Sequence, residues 1–85
     1  METTKKITKD ALCKSLSALA DEKRYGTILR AKGIVPSSKD TWLHFDYIPG
    51  ALDVREGAAD IIGRICVIGA ELHEDAIRAL FELDA

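Results

Sequence analysis

Apolar residues near the start of the chain recur at the spacing of an amphipathic helix. Leu12, Leu16 and Leu19 fall on one side of such a helix, and the residues between them are mainly polar. Thr8 precedes this run and has a hydroxyl that suits the N-cap position. We therefore predict a helix that begins after Thr8 and ends near residues 20–21, with the polar stretch DEKR as its exit.

The clearest strand pattern runs from Thr41 to Gly57, TWLHFDYIPGALDVREG. Apolar and polar residues alternate on both sides of Pro49-Gly50, which predicts a strand, a tight turn and a second strand. Successive side chains point to opposite faces of a strand, so one face of the first strand is predicted to join the core with Leu43, Phe45 and Tyr47. The other face then carries Trp42, His44, Asp46 and Ile48.

Two further strands are predicted, one before and one after this hairpin. The first, TILRAKGIV from Thr27 to Val35, is predicted to turn Leu29 and its other odd-numbered residues to the core. Its even-numbered residues then face away from the core: Ile28, Arg30, Lys32 and Ile34. The turn residues that follow make this strand an antiparallel neighbour of the hairpin. The segment Arg64–Ile68 is rich in β-branched residues and lies between Gly63 and Gly69, which indicates an internal strand.

A second helix is predicted in the last segment, HEDAIRALFEL, where one stripe is formed by Ala76, Ile77, Leu80 and Phe81. The order helix, three or four strands, helix predicts an α+β fold. We expect a two-layer sandwich in which a mainly antiparallel sheet of three to five strands carries two helices on one face. The 85 residues suit a single domain, and the other face of the sheet is left open.

Charge and composition narrow the classes of partner. The net charge of −2 argues against nucleic-acid binding, which usually needs a basic excess. No apolar run is long enough to span a membrane, and the start METTKKITKD lacks the apolar segment of a signal peptide. We therefore expect a cytoplasmic protein with no membrane or nucleic-acid partner. The two cysteines, Cys13 and Cys66, are expected to be buried free thiols.

Motifs for common enzyme chemistry are missing from the sequence. It contains no phosphate loop, GxGxxG, HExxH, paired CxxC or GxSxG, so we expect no catalysis by this chain. One metal-binding hypothesis combines His44, Asp46 and Cys66, joined by His73, as a mixed nitrogen, oxygen and sulfur ligand set. In the favoured interpretation Cys66 packs against neighbouring side chains, and His44 and Asp46 form hydrogen bonds to a cation across the sheet. The available cations are Arg30, Lys32 and Arg64.

A polar and aromatic stripe is predicted to cover the open face of the sheet. Its members are Arg30, Lys32, Trp42, His44, Asp46, Asp53, Arg55 and Arg64. One interpretation is a solvated face with weak cross-strand ion pairs. The other is a docking surface, because Trp and Arg are enriched where interfaces concentrate binding energy. The docking candidates are Arg30, Lys32, Trp42 and Arg64.

The ordered series of motifs resembles a known family. ILRAKGIV, WLHFDYIPG, REG and GRICVIGAEL with a closing helix are similar to the C-terminal domain of the CobW-like GTPases, from about Ala11 to Leu83. The resemblance implies a cytoplasmic protein linked to metal-cofactor assembly, such as cobalamin synthesis, nitrile hydratase activation or zinc handling. The family's GTPase core, with its phosphate loop and cysteine-rich metal motif, has no counterpart in this chain. No cofactor-binding residue is therefore carried over.

These expectations combine into one leading function and two alternatives. Residues 1–85 are expected to form a single CobW C-terminal-like domain, in which residues 1–7 are a truncated first strand or disordered. The leading function is that of a non-catalytic accessory domain that docks on the GTPase domain or on a client metalloprotein. The alternatives are a free-standing small metal-binding module and a homodimeric interaction domain. No cofactor is expected in this chain.

Overall fold

Five strands form one antiparallel sheet in the computed structural model, which describes residues 1–37 and 40–81. The strands are β1 (Glu2–Thr3), β2 (Thr27–Pro36), β3 (Trp42–Ile48), β4 (Ala51–Gly57) and β5 (Gly63–Ala70). The helices are α1 (Lys9–Ala18), α2 (Glu22–Tyr25) and α3 (Glu74–Leu80). The strand order in the sheet is β1-β5-β2-β3-β4, so β2 is central.

One hydrophobic core joins α1 and α3 to the same face of the sheet. Leu12 and Leu16 of α1 and Ile77 of α3 are almost fully buried in it. The sheet contributes Ala31, Val35, Leu43, Phe45, Tyr47 and Ile65. This arrangement confirms the predicted two-layer α+β fold with both main helices on one face of the sheet.

The first helix begins at the predicted position and ends slightly early. The Thr8 hydroxyl accepts a hydrogen bond from the Ala11 amide at 3.2 Å, as an N-cap does. α1 ends at Ala18, and the stretch DEKR, predicted as an irregular exit, lies mostly in the short helix α2. Asp21 makes this second helix possible, because its carboxylate caps α2 by accepting a hydrogen bond from the Arg24 amide at 3.3 Å.

The predicted hairpin is confirmed as β3, a two-residue turn and β4. Pro49 and Gly50 form the turn, and Gly50 has a φ of +87°, a conformation that glycine adopts without strain. The register that follows places Phe45 opposite Val54. As predicted, the buried residues of β3 are Leu43, Phe45 and Tyr47.

The start of β2 departs from the predicted alternation. Between Ile28 and Arg30 its register with β5 shifts by one residue, which is a β-bulge. The alternation predicts Leu29 in the core and Ile28 on the open face, but Leu29 is 59% exposed and Ile28 only 5%. The prediction is wrong at these two positions because the extra residue reverses the faces of the residues before it. Ala31 and Val35, beyond the bulge, are buried as predicted.

The N-terminal residues form a short edge strand beside β5. β1 pairs with Gly63 and Arg64 of β5. The Met1 ammonium group donates a hydrogen bond to the Ile65 carbonyl, and the Ile65 amide donates one to the Met1 carbonyl, each at 2.8 Å. β5 therefore lies between two strands, but β1 covers only the beginning of its outer edge.

Candidate docking site on the open face of the sheet

The sheet face opposite the helices, which we call the open face, carries the predicted polar stripe. Its side chains are all exposed or half-buried: Arg30, Lys32, Ile34, Trp42, His44, Asp46, Ile48, Asp53, Arg55, Arg64, Cys66 and Ile68. The strand register aligns one row across the sheet from Cys66 through Lys32 and Asp46 to Asp53. The adjacent row runs from Arg64 through Ile34 and His44 to Arg55. A shallow concavity of about 560 Å³ lies over these two rows.

Arg30 on β2 and Asp46 on β3 form a bidentate ion pair. Arg30 Nε donates to Asp46 Oδ1 at 3.1 Å, and Arg30 Nη2 donates to Asp46 Oδ2 at 2.6 Å. The hydrogen bonds from Arg30 have the largest effect on the pKa of Asp46 and lower it. Loss of solvation has the next largest effect and opposes them, and the positive charges of Arg30, Lys32 and Arg55 lower the pKa further. The same hydrogen bonds raise the pKa of Arg30. The pair fixes the Arg30 guanidinium and balances its charge.

Lys32 and Arg64 differ from Arg30 in their electrostatic surroundings. Both side chains are exposed, and neither forms an ion pair within residues 1–37 and 40–81. Arg55 is paired with Asp53, its neighbour two residues away on β4. The open face therefore presents two cations whose charge no described carboxylate holds.

His44 is held by a contact that the sequence pattern does not reveal. Its Nε2 lies 2.8 Å from the carbonyl oxygen of Ala58, in the loop after β4. The imidazole lies over Gly57, where an added Cβ would come within 2.6 Å of the ring. Gly57 thus leaves the space that the ring fills, and the ring connects β3 to this loop. The glycine at the end of the REG motif is the only sequence signal for this contact.

The structure does not assemble the residues of the metal-binding hypothesis. Cys66 lies on β5 and is separated by β2 from His44 and Asp46 on β3, a distance of two strand spacings or about 10 Å. His73 lies elsewhere, with its Nδ1 2.8 Å from the carbonyl oxygen of Arg24. Among the described residues, no three His, Cys, Asp or Glu side chains are placed to hold a metal ion. The metal-binding alternative stays a hypothesis.

The two cysteines are free thiols, but the expectation that both are buried is wrong. Cys13 is half-buried and Cys66 is exposed. Cys66 shares the strand parity of Arg64 and Ile68, so it points to the open face instead of the core. Residues 64–68 (RICVI) are apolar on both faces of the strand apart from Arg64, so their composition does not distinguish the core face from the open face.

The four docking candidates share the open face without forming one cluster. Trp42 lies at the end of β3 far from the turn, between Pro36 and Gly57, which leave its indole half-exposed. Arg30 lies toward the turn end of the same face, beside Asp46. Lys32 and Arg64 occupy the middle and line the concavity.

Two isoleucines add exposed apolar area to this face. Ile48 is 49% exposed and Ile68 is 47% exposed, and Ile68 lies opposite Arg30 in the register. Ile28, predicted to lie with them, belongs to the core because of the bulge. The open face therefore combines exposed aliphatic groups with cations.

Comparisons with known proteins identify what the chain is similar to. Residues 1–83 match the family model described as "Cobalamin synthesis protein cobW C-terminal domain". A search of curated protein sequences finds no match. Within the described residues, no helix is long and apolar enough to cross a membrane.

Two solved structures share the fold. The Zn(II)-bound YjiA GTPase from E. coli superposes with a TM-score of 0.75 and 21% sequence identity. A Zn(II)-bound triple mutant of the YjiA GTPase superposes with a TM-score of 0.77 and the same identity. In both cases the match covers 96% of this chain and 27% of the other. The likeness at this identity establishes the fold, and the chain spans about a quarter of the length of these GTPases.

Proposed function

This chain belongs to the family of cobalamin synthesis protein cobW C-terminal domains, and on that basis we propose that it is a non-catalytic accessory domain of a CobW-like GTPase system. Its role is to dock on the GTPase domain or on a client metalloprotein during the assembly of a metal cofactor. The chain itself holds no cofactor and acts in the cytoplasm.

The composition of the open face is the observation that carries this proposal. One face of the sheet is covered by α1 and α3, whereas the other leaves Ile48 and Ile68 about half exposed. Trp42 adds a half-exposed indole to the same surface. Trp and Arg surrounded by apolar groups are typical of the residues that contribute most to binding energy at interfaces.

Two cations that form no ion pair within the described residues favour an acidic group of the partner in this concavity, although the carboxylates of Glu2, Asp46 and Asp60 line it as well. Lys32 and Arg64 line the concavity, and neither is held by a carboxylate of the described residues. A carboxylate of the partner would not have to displace an internal ion pair at either position. Arg30 would contribute less to such binding, because Asp46 already balances its charge.

A binding titration against a CobW-like GTPase domain tests the proposal. The chain is titrated by calorimetry into that domain, loaded first with GDP and then with a non-hydrolysable GTP analogue. We expect the double variant Lys32→Glu with Arg64→Glu to bind at least about tenfold more weakly, roughly 1.4 kcal/mol. The matched control is Lys14→Glu with Lys23→Glu, two exposed lysines outside the sheet with the same total change in charge.

Equal weakening by the two double variants would show that only net charge matters and would refute docking through the open face. Unchanged binding by the Lys32 and Arg64 variant would refute it as well. The absence of binding in both nucleotide states would direct the search to client metalloproteins, with the same variants and the same criterion.

A further inference from the structure

The loop between β4 and β5 crosses one end of the sheet beside the open face. It consists of residues 58–62 and connects two strands that are separated by β3 and β2, so it passes the ends of both. The contact between Ala58 and His44 holds the beginning of the loop against the open face. Asp60 lines the concavity over the two central cations. The loop therefore forms one wall of the proposed docking site.

Ile61 projects from this loop into solvent. It is 95% exposed, whereas the next most exposed large apolar residue in the described part of the chain, Leu29, is 59% exposed. Its neighbours Asp60 and Ile62 are both half-buried. A side chain in this position contributes almost nothing to the core and keeps nearly all of its apolar surface in water, which is unfavourable. Packing within the domain therefore gives no reason for an isoleucine here.

Hydrogen bonds hold the loop in place around Ile61. The Asp60 carboxylate accepts a hydrogen bond from the Ile61 amide at 2.7 Å. The loop begins at the contact between Ala58 and His44, and it ends where the chain enters β5 at Gly63. A side chain presented by a loop that is held at both ends loses little backbone freedom on binding, which lowers the cost of association. Ile61 is thus suited to act as a binding anchor.

We propose that Ile61 is the apolar anchor of the docking site and inserts into a socket on the GTPase domain. This inference rests on the proposed function and adds to it the chemistry of the partner's surface. The GTPase domain is the occupant, because in both GTPases that share the fold the matched part is 27% of a longer chain. A single side chain buried in a pocket and surrounded by polar contacts is a common centre of protein interfaces.

Arg64 indicates which polar group lies beside the socket. It follows Ile61 by three residues, so their Cα atoms are at most about 11 Å apart. Its side chain is exposed and forms no ion pair with any described residue. A carboxylate of the partner close to the socket would meet this guanidinium when Ile61 is inserted. The complementary surface is therefore an apolar socket for one branched side chain with an acidic residue beside it.

Calorimetric titration of the complete 85-residue chain into the GTPase domain tests the anchor. Ile61→Ala removes most of the inserted side chain, and we expect it to bind at least about tenfold more weakly than the wild type. The matched control is Leu29→Ala, which shortens an exposed aliphatic side chain at the opposite end of β2 and should bind within about twofold of the wild type. Ile61→Ala should also unfold at the wild-type urea midpoint, because the side chain does not pack in the free chain.

Ionic strength separates the anchor from the cations. Salt screens exposed charges but does not weaken the burial of apolar surface. The ratio of wild-type to Ile61→Ala affinity should therefore not fall between about 0.1 and 1 M salt, whereas the effect of the Lys32 and Arg64 double variant should shrink. A ratio for Ile61 that shrank to the same extent would show that the isoleucine acts through the charges, and it would overturn the insertion.

The outcomes distinguish failure of the anchor from failure of docking. Wild-type affinity of Ile61→Ala, or an equal loss in Leu29→Ala, would overturn the anchor. A chain that binds the GTPase domain in neither nucleotide state would also overturn it, while docking on a client metalloprotein would remain to be tested. Weakening by the Lys32 and Arg64 variant alone would support docking and refute the anchor. Weakening by Ile61→Ala alone would support the anchor and refute docking through the concavity.

Discussion

Gly33 lies where β2 approaches both of its neighbours, and replacing it with alanine is expected to destabilise the sheet. In the register it faces Phe45 on β3 and Ile65 on β5. A Cβ added to Gly33 would lie 2.1 Å from the Arg64 carbonyl oxygen and 2.8 Å from Cε2 of Phe45. Both contacts are far below van der Waals distance, so either β5 or the buried Phe45 ring must move.

The size of the loss follows from two opposing contributions. Forcing an extra methyl group into a packed interior costs about 1–3 kcal/mol. Alanine also restricts the unfolded chain more than glycine does, which offsets the loss by about 0.5–1 kcal/mol. The closest contact is with backbone, which cannot rotate away, so we expect Gly33→Ala to lower the free energy of unfolding by about 2 kcal/mol. With an m-value near 1 kcal/mol/M for a chain of this size, the urea midpoint should fall by about 2 M.

Gly57→Ala is the matched control for this experiment. The three nearest atoms to its added Cβ all belong to the imidazole of His44, at 2.6–2.8 Å. His44 is only half-buried and its side chain can turn aside, so we expect a loss below about 1 kcal/mol. If Gly33→Ala unfolded at the wild-type midpoint, or no earlier than Gly57→Ala, the argument from strand spacing would be wrong.

Two further predictions concern the charged and metal-binding candidates. Asp46→Asn removes the carboxylate that binds Arg30, so the variant should unfold at a lower urea concentration than the wild type at pH 7. The pKa of Asp46 in the folded state lies below its ordinary value of 3.8, so its contribution is present above pH 3.8 and is lost as the pH falls through the folded-state pKa. The two midpoints should converge in acid, and a difference that persisted there would contradict the ion-pair assignment. In a calorimetric titration with zinc we expect no micromolar binding, because His44 and Asp46 already have partners; binding that Cys66→Ser abolished would restore the metal-binding alternative.

The local sequence pattern predicts the strands in which buried and exposed side chains alternate without a break. Leu43, Phe45 and Tyr47 alternate without a break up to the turn, and all three are buried. At the start of β2 the sequence also alternates without a break, but the bulge after Ile28 arises from pairing with β5, which is 35 or more residues away. The pairing of two distant strands cannot be read from the sequence pattern of one of them, so the alternation predicts the wrong face for Leu29.

The candidate site was predictable in composition and not in arrangement. Strand parity placed Arg30, Lys32, Trp42 and Arg64 on one face, as the structure does. It left open which of the three candidate cations Asp46 binds, because the contact with Arg30 depends on the register between β2 and β3. The register is set by chain connection and packing beyond either strand, so the separation of Trp42 from the central cations became visible only in three dimensions.

The pairing of Met1 with Ile65 has a practical consequence for handling the protein. The ammonium group of Met1 donates a hydrogen bond to the Ile65 carbonyl at the edge of the sheet. Any residues added before Met1 would therefore begin at that edge. Continuing antiparallel to β5, they would run past Cys66 toward Val67. An N-terminal affinity tag or an upstream linker would therefore extend β1 along the part of the β5 edge that no strand of the described residues covers. Measurements of self-association need an unmodified N-terminus, since a tag placed there would act as a competing strand built into the same molecule.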